Sequence, residues 1–190
     1  MTKPGGKPGA GDLKRISIIG VPGAGKTRLS RELVTPRPMR RVNADSYLWD
    51  SHWRLREPDP RAAFQAALRR GKRWIADSEV CHGPRELLQL PDLVIYLDYS
   101  MPRLVLHNIR RWLTHRKFRR PELPAGCEER FPRQILKDIV GGRTRRGHEE
   151  ALRSYPPRLL VRIRTPRKLR AFVRDTFGPD GTAGKIGRLR

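Results

Sequence analysis

Gly20-Val21-Pro22-Gly23-Ala24-Gly25-Lys26-Thr27 fits the phosphate-binding pattern G-x-x-x-x-G-K-[ST] at each of its fixed positions. The glycines let the backbone approach phosphate closely, so that successive N–H groups point at its oxygens. Lys26 can reach the β- and γ-phosphates of a nucleotide, and the Thr27 hydroxyl can ligate Mg²⁺. We therefore predict that this loop, with the following Arg28, binds ATP and Mg²⁺.

The residues around this loop have the order that its mechanism requires. Ile16–Gly20 is a short β-branched run ended by glycine, which predicts a strand. Gly25–Leu33 has apolar side chains one turn apart, which predicts a helix that ends before Thr35-Pro36. Such a helix would point its positive N-terminal end at the bound phosphates. The alternative interpretation is an ordinary glycine-rich turn.

Strand-like and helix-like segments alternate along the rest of the chain. Further strands are predicted at Arg41–Ala44, Trp74–Ala76, Leu93–Leu97 and Leu159–Ile163. Helices are predicted from Asp59-Pro60 to Gly71, over Pro102–Leu113 with Val105, Ile109 and Trp112 on one face, and from Thr165-Pro166 onward. This alternation favours a parallel α/β sheet with helices on both faces, which binds ligands at the carboxyl ends of its strands.

Two aspartates are candidates for the magnesium side of the site. A P-loop uses a carboxylate at a neighbouring strand end to hold Mg²⁺, usually through water. Asp77 follows the run Arg73-Trp74-Ile75-Ala76, and Asp98 follows Val94-Ile95-Tyr96-Leu97. We favour Asp77, together with Thr27, as the metal-binding pair and keep Asp98 as the alternative. Either residue could instead serve as a turn or helix-cap aspartate.

The charge of the chain is strongly positive. Lysine and arginine number 42 against 19 aspartates and glutamates, a formal net charge of +23. Residues 1–100 carry a net charge of +7, and residues 101–190 carry +16. Such a surface favours anionic partners, among them nucleotide phosphates and nucleic acid. A solvated basic face is the simpler alternative.

The 190 residues are enough for one domain with its own core. We expect flexible basic tails at 1–13 and 178–190 and a kinase-like domain at 14–177. The N-terminus lacks the apolar core of a signal peptide, and no apolar run is long enough to cross a bilayer. We therefore expect a cytoplasmic protein that does not bind membranes. Cys81, His82, Cys127 and His148 lack the spacing of a metal site.

Two arginine clusters flank a segment rich in proline and glycine. The first cluster runs from Arg110 to Arg120, the second from Arg143 to Arg146, and Pro121–Cys127 lies between them. Arginines stabilise charge on a transferring phosphoryl group, and closure of a loop over it excludes water. The pattern therefore indicates a small lid at about 116–145, although a solvated basic face has the same composition.

The order of these features resembles that of a known family. The P-loop and the two strand-end aspartates are followed by Arg120-Pro121-Glu122-Leu123-Pro124-Ala125-Gly126-Cys127, Glu129-Arg130-Phe131 and Thr165-Pro166-Arg167. In this the chain resembles the adenylate-kinase-like P-loop NTPases, and most closely the subgroup labelled DNA topology modulation proteins. The resemblance covers Lys14–Phe177. It implies a three-layer α/β/α fold of nucleoside-monophosphate-kinase type, with a five-stranded parallel sheet and a small lid.

The resemblance also implies roles for single residues. Asp45 and Trp49 match positions near the phosphoryl acceptor, and Thr165-Pro166 matches the turn that passes over adenine. Arginines before and after the lid match groups that contact the transferring phosphoryl; here they are Arg111, Arg116, Arg143 and Arg145. The chain departs from the family at Ser78-Glu79-Val80, where Gly-Asn-Tyr is common, and at His107, where arginine is expected.

These observations favour a small ATP-dependent phosphotransferase that acts on an unidentified nucleotide or small-molecule acceptor, as a monomer or weak dimer. In-line transfer requires mainly positioning and charge stabilisation. The predicted catalytic residues are Lys26, Asp45, Arg111, Arg116, Arg143 and Arg145. The basic second half of the chain supports an alternative, a nucleotide-dependent nucleic-acid-binding or regulatory ATPase. Ser78-Glu79 motivates a third interpretation, a member that binds nucleotide without turnover.

Overall fold

The computed structural model describes residues 13–80, 83–115, 126–127 and 131–178, and in it five strands form one parallel sheet. These strands are β1 (Arg15–Gly20), β2 (Arg40–Asn43), β5 (Trp74–Ser78), β6 (Leu93–Leu97) and β7 (Leu160–Ile163). Their order in the sheet is β2-β5-β1-β6-β7. Two short strands, β3 (Trp49–Asp50) and β4 (Arg54–Leu55), form a separate antiparallel hairpin.

Helices cover both faces of the sheet. One face packs against α1 (Lys26–Val34), α5 (Met101–His115), α6 (Arg133–Val140) and α8 (Pro166–Phe177). The other packs against α2 (Asp45–Leu48), α3 (Pro60–Arg70), α4 (Glu86–Gln89) and α7 (Arg143–Ser154). Alternate residues of β6 divide between the two apolar cores, with Ile95 in one and Tyr96 in the other. Every residue of β6 is buried, because helices cover the strand on both faces. Apolar residues are therefore favoured at each position of the run Leu93–Leu97.

The predicted starts of two helices are confirmed by their caps. The Asp59 carboxylate accepts hydrogen bonds from the backbone N–H groups of Arg61 and Ala62, at 2.9 and 3.0 Å. The Thr165 hydroxyl accepts one from the N–H of Lys168 at 3.2 Å. A proline at the first helical position follows each cap, where its missing N–H leaves no unmet hydrogen bond.

One predicted boundary is wrong. The strand that was expected over Trp74–Ala76 continues to Ser78, and Asp77 pairs in register with Ile18 of β1 on one side and Asn43 of β2 on the other. In α5 the predicted face of Val105, Ile109 and Trp112 is half-buried, and the fully buried positions Leu104 and Asn108 lie beside it. Asn108 also hydrogen-bonds the phosphate loop, as described below.

Several predicted regions lie partly or wholly outside the described residues. They include nearly all of the N-terminal tail, all but Gly178 of the C-terminal tail, and the front of the lid with Arg116. The described part of the lid region contains α6 and the first turn of α7. Among the helices that are described, none combines the length and apolar character needed to cross a membrane.

Candidate nucleotide site

The phosphate loop connects β1, near the middle of the sheet, to α1. Gly23 and Gly25 have φ angles of 83° and 86°, in the left-handed region that L side chains rarely adopt. Gly25 directly precedes the first residue of α1, so the loop leads straight into the helix N-terminus. Free N–H groups and the helix dipole favour an anion there.

The ammonium group of Lys26 lies within the loop. Its Nζ donates to the carbonyl oxygen of Gly20 at 2.7 Å and lies 3.3 Å from that of Val21. The positive charge is therefore held at the carboxyl end of β1, among the backbone groups that would surround a phosphate.

Asp77 lies beside the end of the loop and is almost completely buried, at 2% exposure. Its Oδ2 accepts hydrogen bonds from Thr27 Oγ1 at 2.9 Å and Asn43 Nδ2 at 2.7 Å. Its Oδ1 accepts one from Ser30 Oγ at 3.1 Å and lies 3.4 Å from Arg41 Nε. Three hydrogen bonds and the charge of Arg41, from α1 and β2, thus fix the carboxylate in one orientation.

The pair of Thr27 and Asp77 fits a magnesium ion by the chemistry of its donors. Mg²⁺ prefers hard oxygen ligands and is usually bound by one or two carboxylates together with substrate phosphates. A hydroxyl and a buried carboxylate in contact at the mouth of a phosphate loop match that requirement. No group of three or more histidine, cysteine, aspartate or glutamate side chains among the described residues could hold a metal by itself.

Asp98, the alternative metal ligand, has a different environment. Its side chain, 9% exposed, is surrounded by three guanidinium groups: Arg145 Nε at 3.0 Å, Arg162 Nη1 at 3.6 Å and Arg164 Nε at 3.7 Å. Thr27 contacts Asp77 and not this carboxylate. The geometry therefore separates the two aspartates, one beside the phosphate loop and one within a cluster of arginines.

Helix α5 supports the phosphate loop through two side chains that the sequence did not single out as supports. Asn108 Nδ2 donates to the carbonyl oxygen of Pro22 at 2.9 Å and to that of Leu104 at 2.8 Å. The Nδ1 of His107 lies 3.0 Å from the carbonyl oxygen of Gly23. The available signal was a polar residue on the apolar side of an amphipathic helix, since a buried amide needs partners.

The predicted acceptor side begins where β2 ends. Asp45 is the first residue of α2, two positions after Asn43, and is half-buried. It lies at the carboxyl end of the parallel strands, as the phosphate loop does. Trp49 lies in the β3–β4 hairpin and packs edge-to-face on Trp53, with ring centroids 5.5 Å apart. At Ser78-Glu79-Val80, where the sequence departs from the pattern that it otherwise resembles, the Ser78 hydroxyl donates to the carbonyl oxygen of Glu79 at 3.3 Å.

Cys127, a residue of the predicted lid, contacts this hairpin. Its Sγ accepts a hydrogen bond from the N–H of Trp53 at 3.2 Å and donates to the carbonyl oxygen of Asp50 at 3.3 Å. No local sequence pattern predicts this contact, because its partners are more than 70 positions apart.

The predicted lid arginines are placed in different surroundings. Arg145 is held by Asp98 and also donates from Nη2 to the carbonyl oxygen of Tyr99 at 2.6 Å. Arg143 is exposed and lies 3.4 Å from Asp138 of α6. Arg111 is half-buried in α5. The structure therefore brings Lys26, Thr27 and Asp77 together and leaves Arg143 on the surface.

The chain was compared with known proteins by sequence. No protein-family model matches it. The uncharacterized protein YqaC of Bacillus subtilis (strain 168) is 31% identical over 105 residues, which are 52% of this chain and 59% of that protein. The match therefore spans less than two thirds of the length of this curated relative.

A comparison of folds gives a similar structure. A shikimate kinase from Acinetobacter baumannii, solved in complex with shikimate, has a TM-score of 0.51 and 16% sequence identity, over 85% of this chain and 92% of that chain. At this identity the likeness shows the fold alone. It confirms the prediction of a P-loop α/β fold with a five-stranded parallel sheet. The narrower subgroup of DNA topology modulation proteins stays a prediction from sequence.

Proposed function

We propose that the protein is a small ATP-dependent phosphotransferase. The observation that carries this proposal is the contact between Thr27 and Asp77, 2.9 Å apart at the phosphate loop that holds the Lys26 ammonium. A loop, a cation, a hydroxyl and a carboxylate in this arrangement supply the parts that phosphoryl transfer needs. The kinase-type fold supports the same reaction class.

The residues of the loop would act mainly by electrostatics. The backbone N–H groups that Gly20–Thr27 carry at every position except Pro22, the N-terminus of α1 and Lys26 would bind the β- and γ-phosphates. Thr27 and Asp77 would hold Mg²⁺, the latter through water, and the ion would offset phosphate charge during transfer. Arg28 is exposed in the first turn of α1, on the side open to solvent.

The remaining roles follow from position and from the family resemblance. Asp45 would orient the acceptor hydroxyl or take its proton, since it follows β2 at the carboxyl end of the sheet, where the loop also lies. The turn at Thr165-Pro166 would pass over the adenine. The transferring phosphoryl group would be contacted by Arg111, Arg116, Arg143 and Arg145. We place the protein in the cytoplasm as a monomer or weak dimer.

The test is Mg²⁺-dependent formation of ADP from ATP, with and without a panel of acceptors. The panel contains nucleoside monophosphates and small hydroxyl compounds, with shikimate included because the kinase of similar fold was solved with it. Stimulation by one acceptor is expected. We expect Lys26→Ala to lower the stimulated rate by about 100-fold or more, since it removes a donor to the transition-state charge.

Lys72→Ala is the matched control, because Lys72 is an exposed lysine that precedes β5. It lies at the amino end of the strands, opposite the end that carries the phosphate loop. It should behave as the wild type. Equal rates for wild type and Lys26→Ala would contradict the proposal. Nucleotide binding that needs Lys26 but leads to no turnover would instead favour a protein that only binds nucleotide.

A second candidate function is binding of nucleic acid, and α8 carries the observation that favours it. Arg167, Arg170 and Arg174 are exposed and follow at intervals of three and four residues, so they share one face of the helix. Arginines spaced along one face can contact successive phosphates.

This candidate is tested by the salt dependence of binding to a fluorescent DNA duplex. Replacing the three arginines of α8 by glutamine should reduce the salt slope by up to about three, since each phosphate contact contributes about one. A triple replacement of the exposed Arg61, Arg153 and Arg158 is the control with equal loss of charge. Equal slopes in both triple variants would exclude α8 as the binding face.

A further inference from the structure

Asp98 lies at the carboxyl end of β6, and its backbone N–H donates to the carbonyl oxygen of Ile163 at 2.9 Å. Strand β6 pairs directly with β1, and Leu97 is in register with Gly20 at the start of the phosphate loop. The Asp98 carboxylate is therefore next to the nucleotide site, although it does not touch Thr27. Arginines from α7, β7 and the turn after β7 converge on it.

The three arginines do not depend on Asp98 to the same extent. Arg162 has a second carboxylate, Glu149, at 2.7 Å, and its guanidinium lies 4.9 Å from the ring centroid of Tyr96. Arg164 is 70% exposed and 3.7 Å away. Arg145 is the nearest of the three, at 3.0 Å. The main charged partner of Asp98 is therefore Arg145.

Arg145 contacts two consecutive residues. Its Nε lies 3.0 Å from Asp98 Oδ1, an ion pair in which neither atom makes a hydrogen bond within the described part of the chain, and its Nη2 donates to the carbonyl oxygen of Tyr99. The side chain also lines a small cavity together with Val21 of the phosphate loop and Gly142, which precedes α7. The guanidinium is thus fixed beside the loop while its side chain stays 42% exposed.

We propose that Asp98 is a positioning residue for Arg145, holding this guanidinium beside the phosphate loop for contact with the transferring phosphoryl group. The inference rests on the proposed phosphotransferase function and assigns Asp98 a role other than metal binding. An arginine loses side-chain freedom when it contacts a phosphate, and an arginine that is already fixed loses less. Preorganised charge of this kind stabilises a transition state more than a mobile side chain does.

This role predicts opposite effects on binding and on turnover. The negative charge of Asp98 repels nucleotide phosphates, whereas its hold on Arg145 aids transfer. Asp98→Asn should therefore leave nucleotide affinity unchanged or higher and lower turnover by about 10- to 100-fold, as expected for a displaced catalytic group. The Mg²⁺ concentration for half-maximal activity should not change.

The experiment compares full-length wild type, Asp98→Asn, Arg145→Lys and the double variant. Turnover, affinity for a fluorescent ADP analogue and Mg²⁺ requirement are measured for each. The double variant should be no slower than the slower single variant, because residues that act as a unit are not additive. Glu149→Gln is the matched control, since it removes the neighbouring carboxylate that pairs with Arg162; its turnover should stay within about two-fold of wild type.

Three results would overturn the inference. A raised Mg²⁺ requirement in Asp98→Asn would make this residue a metal ligand. Multiplying losses in the double variant would show that the two residues act independently. A loss in Glu149→Gln equal to that in Asp98→Asn would assign the effect to the charge of the whole cluster.

A measurement without turnover separates this inference from the proposed function. Phenylglyoxal labelling of Arg145, read by mass spectrometry, should be faster in Asp98→Asn than in wild type, and a non-hydrolysable ATP analogue, which keeps the γ-phosphate, should slow it in wild type. If wild type turns over no acceptor, the proposed function fails, and labelling still decides whether Asp98 holds Arg145 beside the bound nucleotide. Equal labelling in both proteins, or labelling unaffected by the analogue, would overturn the inference.

Discussion

The hydroxyl of Thr27 donates to the carboxylate of Asp77 across 2.9 Å, although the two residues are 50 positions apart in the chain. The contact exists because β5 lies next to β1 in the sheet, which brings Asp77 to the start of α1. Asn43, from β2 on the far side of β5, donates to the same oxygen of Asp77. Because this carboxylate of β5 accepts hydrogen bonds from α1 and β2, its loss should affect both the stability of this part of the sheet and the nucleotide site.

Asp77→Asn should therefore affect stability and metal dependence together. In the variant, an NH₂ group replaces one acceptor oxygen and faces three hydrogen-bond donors and the Arg41 guanidinium. We therefore expect the free energy of unfolding to fall by about 1–3 kcal/mol. Mg²⁺-dependent affinity for a fluorescent ADP analogue should fall about 10- to 100-fold. Urea unfolding and a Mg²⁺ titration measure the two effects. The control is Asp175→Asn, an exposed carboxylate in α8; if both variants behave alike, Asp77 has no special role.

The two central glycines of the loop should differ in their tolerance of a side chain. Both have positive φ angles, so Ala at either position costs about 1–2 kcal/mol of backbone strain. A Cβ at Gly25 meets nothing within 4 Å, whereas at Gly23 it would overlap the amide of Asn108. That amide is fixed by its bonds to Pro22 and Leu104, so it cannot move without losing them.

Gly23→Ala is thus expected to destabilise the protein by about 1–3 kcal/mol more than Gly25→Ala, the cost of overpacking. Urea unfolding of both variants checks this. Repeating the pair in an Asn108→Ala background should remove most of the difference. If the difference persists there, overlap with Asn108 is not its cause.

More of the fold than of the candidate site could be predicted from the sequence. The phosphate loop and the apolar run of β6 are local patterns whose physics is complete within a few residues. The donors that surround Asp77 come from α1 and β2, so their meeting depends on strand order, which no local pattern encodes. The sequence predicts Asp77 and Thr27 as a candidate pair, and the two side chains are in contact, yet Ser30 and Asn43 carry no motif of their own.

The arginines show what composition alone does not predict. Their number in the second half of the chain indicated an anionic partner, but composition does not tell which guanidinium already has a carboxylate. Arg145 and Arg143 are two positions apart, and one is bound by Asp98 while the other lies on the surface near Asp138. Successive positions on a helix point in different directions, so this outcome depends on how α7 packs.

A pH dependence of stability follows from Glu86 in α4. Burial alone raises the pKa of this carboxyl, but a hydrogen bond from Arg69, a backbone hydrogen bond and the charges of Arg69 and Arg85 outweigh burial, so its pKa lies below the ordinary value. A carboxyl with a lowered folded pKa adds stability above its unfolded pKa of about 4.3, and this stability is lost as the pH falls through the folded pKa.

Glu86→Gln should therefore lower the free energy of unfolding by about 1 kcal/mol at neutral pH, a modest effect because Arg69 is largely exposed. The difference from wild type should shrink as the pH falls below about 4. Urea unfolding at several pH values measures it, with the exposed Glu57→Gln as control. A difference that is constant with pH would mean that packing, and not charge, stabilises this position.

The β3–β4 hairpin should depend on the thiol of Cys127. His52 and Trp53 at its tip both have φ angles of 59°, which costs non-glycine residues about 1–2 kcal/mol each. Cys127, fully buried, accepts from the N–H of Trp53 and donates to the carbonyl oxygen of Asp50, so Cys127→Ala should increase hydrogen exchange at 49–55 relative to β5. Cys127→Ser keeps a donor and an acceptor and should have the smaller effect. If both variants exchange as slowly as wild type, the hairpin is held by its tryptophan pair and not by the thiol.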